Sequence, residues 1–210
     1  SVNRRFTDGL QLLASYTFAK STDSDQNSST FTETNSPYDI FNGGYDNGPS
    51  NFDTRHKIVF SGVWAPTFYK GSKNSFGNYL LNGWSIAPNL NVYSGRPFNG
   101  NVSGTSLNNQ NGDNFLPIAG RNAFRLPWLI NLDIRLSKRF RFNETMALEF
   151  LAEAFNVANR THVFGVNTTY YARSGTTGTL NYNPNFGTAT GTDSTLYRER
   201  QIQFATRFQF

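Results

Sequence analysis

The feature that most restricts the fold of this chain is a period of two in hydrophobicity, repeated over segments of roughly ten residues. The alternation is cleanest in LINLDIRLSKRF, where every second residue from Ile130 to Leu136 is apolar and the residues between them are polar. It continues to the carboxyl terminus in RERQIQFATRFQF, where Ile202, Phe204 and Phe208 share one parity. Successive side chains of a strand point to opposite faces, so the pattern predicts strands with one apolar face.

The same pattern recurs in LQLLASYTFAK, RHKIVFSGVW, GWSIAPNLNVYSG and MALEFLAEAFN, and the opening SVNRRF reads as the end of another strand. Together these segments predict about seven strands. Pro88 interrupts one of them, and we expect a bulge or a local irregularity there because proline lacks a ladder donor. MALEFLAEAFNVANR also contains good helix formers, so a helix is an alternative for that segment, although its strand-like neighbours favour a strand.

Short and long connections alternate between these segments. The short or moderate ones are residues 7–9, 67–79 and 142–145, and the long polar ones are residues 21–51, 97–122 and 160–196. Transmembrane barrels have short periplasmic turns and long outer loops. The spacing therefore predicts an all-β, antiparallel, up-and-down transmembrane barrel.

Composition agrees with a barrel wall. Hydrophobic residues make up 37% of the 210 residues, and no apolar run is long enough for a transmembrane helix. A barrel strand needs only one apolar face, so total hydropathy can stay low. Aromatic residues near the strand ends would form the girdles that meet lipid headgroups: Phe18, Trp64, Trp84, Phe208 and Phe210. A soluble β-sandwich is an alternative, since its core would accept the same apolar faces.

Charged residues recur on the opposite parity of the later strands. In a barrel this face lines a wet interior, where charges can pair. The lumen-facing residues predicted in this way are Asp133, Arg135, Arg139, Glu149, Glu153 and Arg207.

Four stretches of the chain resemble a known family: NFDTRHKIVFSGVW, LNGWSIAPNLNVYSGRPF, GRNAFRLPWLINLDIRLSKRF and LEFLAEAFNVANRTHVFG. Their order and spacing are similar to the carboxy-terminal barrel of TonB-dependent outer-membrane receptors, above all the Oar-like type common in Acidobacteria. The residues that carry the resemblance are Asp53, Arg55, His56, Gly83, Trp84, Asn131, Asp133, Phe155, Asn156 and Asn159.

The resemblance implies a location in the outer membrane of a Gram-negative (diderm) bacterium. It also implies a barrel of 22 strands, an amino-terminal plug, and TonB and the barrel-assembly machinery as partners. The terminal Phe208 and Phe210 would be the assembly signal. The chain departs from this pattern, because it has about seven strands and no plug. We therefore expect residues 1–210 to be the carboxy-terminal segment of a larger barrel, with THVFGVNTTYYAR as the candidate for an eighth strand if the barrel is instead small.

The sequence predicts no catalytic site and no cofactor. The chain has no cysteine, and its two histidines, His56 and His162, have no partner motif. An anchoring role at a strand entrance is expected for His56. The stretch beginning at Gly120 lacks the spacing of a phosphate cradle, and the net charge of +5 is spread along the chain, which argues against nucleic acid.

Aromatic residues in the long connections are candidates for ligand binding, because rigid amphipathic rings are common in recognition surfaces. They are Tyr38, Phe41, Tyr45, Tyr170, Tyr171 and Tyr182. Packing of the loops against one another is an equal alternative. A weak calcium candidate consists of Asp23, Asp25 and Asn27, but Ser28 replaces the required glycine and Glu33 comes one residue early, so a solvated loop is favoured.

The functional prediction is an outer-membrane receptor that takes up a scarce nutrient (a carbohydrate, a peptide or a chelate) with energy passed through TonB. Two alternatives remain at this point. One is a small outer-membrane barrel with a role in adhesion or structure, and the other is a soluble β-sandwich binding module.

Overall fold

The computed structural model describes residues 1–24, 38–39, 41–69, 75–105, 114–192 and 197–210. Strands dominate, because the alternating segments pair along most of their length. In chain order the strands are β1 (Val2–Thr7), β2 (Leu10–Phe18), β3 (Thr22–Asp23), β4 (Gly48–Pro49), β5 (His56–Trp64), β6 (Trp84–Tyr93), β7 (Pro97–Phe98), β8 (Asn101–Ser103), β9 (Phe124–Arg125), β10 (Leu129–Arg141), β11 (Ala147–Phe155), β12 (Val163–Val166), β13 (Thr169–Arg173), β14 (Leu180–Tyr182), β15 (Ala189–Thr192) and β16 (Gln201–Gln209).

One seven-stranded sheet organises the chain, in the order β1-β2-β5-β6-β10-β11-β16, and every neighbouring pair in it is antiparallel. The strand count and the up-and-down order predicted from the alternation are confirmed. The segment with good helix formers is strand β11, which pairs with β10 from Ala147 to Ala154 on one side and with β16 along its whole length on the other. Tertiary pairing therefore overrides helix propensity there.

The connections between the long strands alternate in length as predicted. The described residues of connections 8–9, 65–83 and 142–146 lie at one end of the sheet, the short-turn end. The described residues of connections 19–55, 94–128 and 156–200 lie at the other, the long-loop end. The middle short connection contains a helix, α1 (Ser75–Leu81), which the sequence analysis did not anticipate. Among the described residues, no helix is long and apolar enough to cross a membrane.

A bulge at Pro88 is wrong, whereas the local irregularity that was the other outcome expected there is confirmed. Pro88 pairs in register with Ile134 of β10, and the ladder between β6 and β10 is continuous. Between β5 and β6, in contrast, pairing is interrupted between Ser61↔Asn89 and Trp64↔Ile86, and the register is the same on both sides of the gap. The missing proline donor therefore faces β5, and the sheet tolerates it as a local gap in pairing.

The candidate for an eighth strand is also wrong. THVFGVNTTYYAR forms two short strands, β12 and β13, and neither joins the seven-stranded sheet. Strand β12 pairs with β15, whereas β13 pairs with β14 and, in parallel, with β8. These residues therefore belong to structure formed within the long loops.

The apolar face of the sheet is uncovered. Phe204 is 81% exposed, and Ile202, Phe150 and Trp64 on the same face are also exposed. Among the described residues, the buried hydrophobic side chains are Tyr38, Val102 and Phe115, all in long loops, and Ala147 at the start of β11. A β-sandwich would place its core on the sheet. The only apolar core in the described part of the chain instead lies in the loops, which argues against the sandwich.

Gly83 tightens the turn into β6. Its φ of +80° lies in the left-handed region, and an added Cβ would lie 2.3 Å from the carbonyl oxygen of Arg139. The Arg139 amide donates a hydrogen bond to the Gly83 carbonyl at 2.8 Å, so the two backbones are held together.

We expect Gly83→Ala to destabilise the folded sheet by about 3 kcal/mol, because it adds left-handed strain and a backbone clash. The check is denaturant unfolding of the full chain in detergent. Gly120→Ala is the matched control, since Gly120 has φ +82° with open space around its Cβ position. Equal losses in both variants would show that the contact with Arg139 is unimportant.

Candidate functional site

The candidate site is the long-loop end of the sheet, where the described parts of three connections meet: the first long loop (residues 19–55), the second (94–128) and the third (156–200). The parallel pairing of β8 with β13 joins the second loop to the third. Hydrogen bonds from Arg121 join the second loop to the first. The described parts of the three loops therefore form one connected structure rather than three independent loops.

Arg121 is the centre of the contact between the first two loops. It is buried, and its Nη1 donates to the carbonyl oxygens of Asp23 at 2.8 Å and Asp46 at 2.7 Å. Its Nη2 forms an ion pair with Asp23 Oδ1 at 2.7 Å. A guanidinium suits this position because its donors have a fixed planar arrangement.

The ion pair also bears on the weak calcium candidate. The carboxylate of Asp23 faces a cation of the protein itself. The other two candidates, Asp25 and Asn27, lie outside the described residues. Within the described residues, no group of three or more His, Asp or Glu side chains is placed to hold a metal ion.

Asn122 extends the same contact. Its side-chain amide donates to the Pro49 carbonyl oxygen and to Asn51 Oδ1, both at 2.7 Å, and its backbone amide donates to Asn99 Oδ1. Its φ of +54° is left-handed, which asparagine tolerates better than most residues. The stretch that was rejected as a phosphate cradle is therefore a structural junction, a role that the sequence analysis missed.

A buried carboxylate secures the entrance to β5. Asp53 is 1% exposed and accepts a hydrogen bond from the Ser21 amide at 3.0 Å. It forms ion pairs with Arg125 and with Arg55. Burial by itself would raise the pKa of Asp53, but the hydrogen bonds from Ser21 and Arg125, the charge of Arg125 and the hydrogen bond from Arg55 together hold that pKa below its ordinary value.

His56, the first residue of β5, lies on the apolar face of the sheet. Its Nδ1 shares a hydrogen bond with the Tyr16 hydroxyl at 2.9 Å, and its ring stacks on Trp128 with centroids 5.6 Å apart. Phe18 is a further ring neighbour at 5.2 Å. These contacts fit the anchoring role that was expected for His56. They also place a band of aromatic side chains at the long-loop rim.

The six aromatic candidates separate into two groups. Tyr38 is buried against Tyr45 and Phe115, with ring centroids 5.5 Å and 4.9 Å away. Burial, followed by the neighbouring Tyr45, raises the pKa of Tyr38. Phe41, in contrast, is 91% exposed. In this first group Tyr38 fits the packing alternative, whereas Phe41 and Tyr45 are open to a ligand.

The second group lies between the second and third long loops. Tyr170 contacts Tyr171 at 4.6 Å and Tyr182 at 5.9 Å, and it also packs on Phe124 and Phe186. Burial, followed by the neighbouring tyrosines, raises the pKa of Tyr170. Tyr182 is the most exposed of the three tyrosines, so it is the member most available to a ligand. Sequence reasoning missed the phenylalanines because they lie in short strands or turns without any periodic pattern.

The six residues predicted to face the lumen share one face of the sheet. Register places Arg135 opposite Glu153, and Arg139 opposite Glu149, which in turn lies opposite Arg207. Arg135 forms an ion pair with Glu153, which also accepts a hydrogen bond from Gln203. The result is a polar strip across β10, β11 and β16.

Asp133, the sixth member of this set, has a positioning role. Its Oδ1 accepts hydrogen bonds from Asn131 Nδ2 and from the Asn156 amide, both at 2.9 Å. Asn156 also donates from its side chain to the carbonyl oxygens of Arg160 and Arg198, both at 2.8 Å, so it joins the two ends of the third long loop. Residues that carry the family resemblance therefore hold a loop in place.

The terminal aromatic residues lie at the short-turn end. Phe208 pairs with Leu148 on the apolar face, and its ring stacks on Phe210 with centroids 6.0 Å apart. Both rings are exposed. This position on the outermost strand is accessible to another protein.

Comparison with known proteins gives one result. A family model described as outer membrane beta barrel domain matches residues 1–119 and 115–203. No curated protein and no solved structure matches the chain at a significant level.

Proposed function

This chain belongs to the outer membrane beta barrel domain family, and on that premise we propose that it is the carboxy-terminal wall of a TonB-dependent, Oar-like receptor. Membership of the family implies the outer membrane of a Gram-negative bacterium. The proposed activity is uptake of a scarce nutrient of the carbohydrate, peptide or chelate class. No enzymatic step is part of the proposal.

The observation that carries the proposal is the direction of the two edge strands. The sheet has seven antiparallel strands, so β1 and β16 run in the same direction. They cannot pair with each other as antiparallel neighbours. Each unpaired backbone group in lipid costs several kcal/mol. Closure therefore requires an odd number of additional strands, which gives the even total that is usual in bacterial barrels.

The long-loop end supports ligand capture. Short turns of such barrels face the periplasm and long loops face outside. The three long loops are joined by buried contacts, so their exposed rings, Phe41, Tyr45 and Tyr182, are presented on a connected support. A preorganised aromatic surface binds with less loss of conformational entropy than separate loops would.

The proposed uptake then proceeds along the polar face. The strip that contains Arg135, Glu153 and Arg207 lines the lumen and offers both signs of charge to a polar solute. A plug contributed by another part of the polypeptide would couple the movement to TonB. Phe208 and Phe210 would be bound by the barrel-assembly machinery during insertion.

The proposal is tested first by the open reading frame upstream of Ser1. We expect it to encode a plug, a TonB box and further strands in an odd number. A signal peptide directly before Ser1 would instead favour the small barrel with a role in adhesion or structure.

The second test is binding of the full-length protein, with its upstream plug, to the immobilised periplasmic domain of TonB. We expect capture of this purified full-length protein, with a porin from the same membrane as the negative control. Capture equal to that of the porin, with and without culture medium as a source of ligand, would contradict energy coupling through TonB.

A further inference from the structure

Lys138 is an unexpected residue on the apolar face of β10. It lies between Leu136 and Phe140, and only 6% of it is exposed. Its cross-strand partners are Trp84 on β6 and Phe150 on β11. A lysine on the lipid side of a barrel is costly unless its charge reaches the interface or a partner.

The described partners of Lys138 are all neutral. Its ammonium donates to the carbonyl oxygens of Leu80, at 3.0 Å, and Asn82, at the end of α1. It also lies 5.1 Å from the Trp84 ring and 5.0 Å from the Phe140 ring. No described carboxylate forms an ion pair with it. Two of its three N–H donors are used in these hydrogen bonds, and no described carboxylate compensates its net charge.

A groove of about 330 Å³ opens beside Lys138 on the same face. Lys138, Trp84, Phe150 and Thr206 form one cross-strand row at its short-turn side. The next row toward the middle of the sheet is apolar and consists of Leu136, Ala152 and Phe204. The groove thus has a cation and a hydroxyl toward the membrane surface and hydrocarbon toward the membrane interior.

Helix α1, next to the groove, also has exposed apolar side chains. Phe76 and Leu80 lie one turn apart on α1, and both are exposed. The Trp84 indole N–H donates to the Leu80 carbonyl oxygen at 3.0 Å, which fixes the end of the helix against the sheet. Exposed aromatic and aliphatic residues beside a tryptophan are typical of the bilayer interface.

We propose that this groove binds one anionic phospholipid of the periplasmic leaflet. Its phosphate lies at the Lys138 ammonium, and one acyl chain lies over Leu136 and Phe204. Charge complementarity selects the occupant, since a lysine with only neutral protein partners is compensated by a phosphate. The site is independent of transport and of TonB.

The test uses the full chain reconstituted in phosphatidylethanolamine vesicles. Photoactivatable phosphatidylglycerol, or photoactivatable phosphatidylcholine at the same mole fraction, carries the reactive group on an acyl chain. Cross-linked peptides are then identified by mass spectrometry. We expect phosphatidylglycerol to label the β10 and β16 peptides about fivefold more than phosphatidylcholine, the factor that one lysine near a membrane surface provides.

Variants assign the effect to the groove. Lys138→Met should make labelling by the two lipids equal, and Lys138→Arg should keep the preference. Lys57→Met is the matched control, because Lys57 lies on the polar face, where it pairs with Tyr93. Lys138→Gln is a second variant that removes the charge but keeps a polar side chain, and it should also make labelling equal. Thr206→Val is a second control, because Thr206 lies two strands from Lys138, and it should keep the preference.

Two results would overturn the proposal. One is equal labelling by the two lipids in the unaltered protein. The other is an undiminished preference in Lys138→Met, or in Lys138→Gln if Lys138→Met fails to assemble. Assembly is read from heat-dependent mobility on gels, so a folding defect is distinguished from loss of lipid binding. Failure of the TonB experiment would leave these outcomes unchanged.

Discussion

Replacing Asp53 with asparagine will lower the free energy of opening of the long-loop end by about 3 kcal/mol. The carboxylate is buried and paired with Arg125 and Arg55, so its loss leaves two cations without their partner. Both arginines are partly exposed and can recover some hydration, which places the effect at the low end for a broken buried pair. Hydrogen exchange of the Ser21 amide, which donates to this carboxylate, is the measurement.

The control for this experiment is Asp8→Asn, which removes an exposed carboxylate from the turn at the opposite end. It should leave exchange at Ser21 unchanged. Equal exchange in Asp53→Asn and in the unaltered protein would show that the ion pairs contribute nothing to loop closure.

The pH dependence of the loops follows from the same residue. The pKa of Asp53 is lower in the folded chain, so its stabilising contribution is complete above its ordinary pKa of about 4 and is lost as pH falls through the lowered value. We expect exchange at Ser21 to accelerate at acid pH beyond its intrinsic trend. Asp53→Asn should remove that additional acceleration.

Replacing Phe115 with alanine will open the contact between the first and second long loops. Phe115 is 1% exposed, and its ring packs on Tyr38 in the apolar core of the loops. Truncation of a buried phenylalanine costs about 3 to 5 kcal/mol. When the cleavage rate follows the population of open loops, a loss of about 3 kcal/mol in the stability of the closed loops raises the rate of proteolysis more than a hundredfold. The measurement is protease digestion of the intact full chain from the outer surface of cells.

Phe41→Ala is the matched control for this prediction, because Phe41 lies in the same loop region and is almost fully exposed. It should leave the rate of proteolysis unchanged. If Phe41 contacts the nutrient, as proposed, the same variant should weaken uptake. Similar proteolysis rates for Phe115→Ala and Phe41→Ala would contradict a loop core centred on Phe115.

These experiments distinguish the aromatic residues that pack the loops together from those that are exposed to a ligand. Tyr38 and Tyr170 lie inside ring clusters, whereas Phe41 and Tyr182 present accessible faces. A search for the nutrient site should therefore begin with the latter pair.

The residues that carry the family resemblance have a structural explanation. Asp53 and Arg55 fix the entrance to β5, Gly83 permits close approach to the Arg139 carbonyl, and Asn156 joins the ends of the third loop. Each is required by backbone geometry or by a buried polar contact. Such residues identify a barrel wall, but they contain no information about a ligand.

The sequence by itself determined the strands, their two faces and the alternation of short turns with long loops. These features are local, because a period of two is imposed by the pleat of each strand and turn length is read directly from the chain. The assignment of β11 as a strand also depended on its neighbours, and it was confirmed by pairing on both sides.

Only the tertiary structure decided how the loops are built and which of their residues are accessible. Arg121 reaches Asp23 across 98 residues of sequence, and Asn122 reaches Pro49 across 73. The partners of loop strands such as β13 are not predicted by any periodic pattern in the sequence, and β13 pairs with β8 in parallel. These contacts join residues that are far apart in the sequence, and they depend on the path of each loop over the sheet. A local pattern of hydrophobicity does not determine that path.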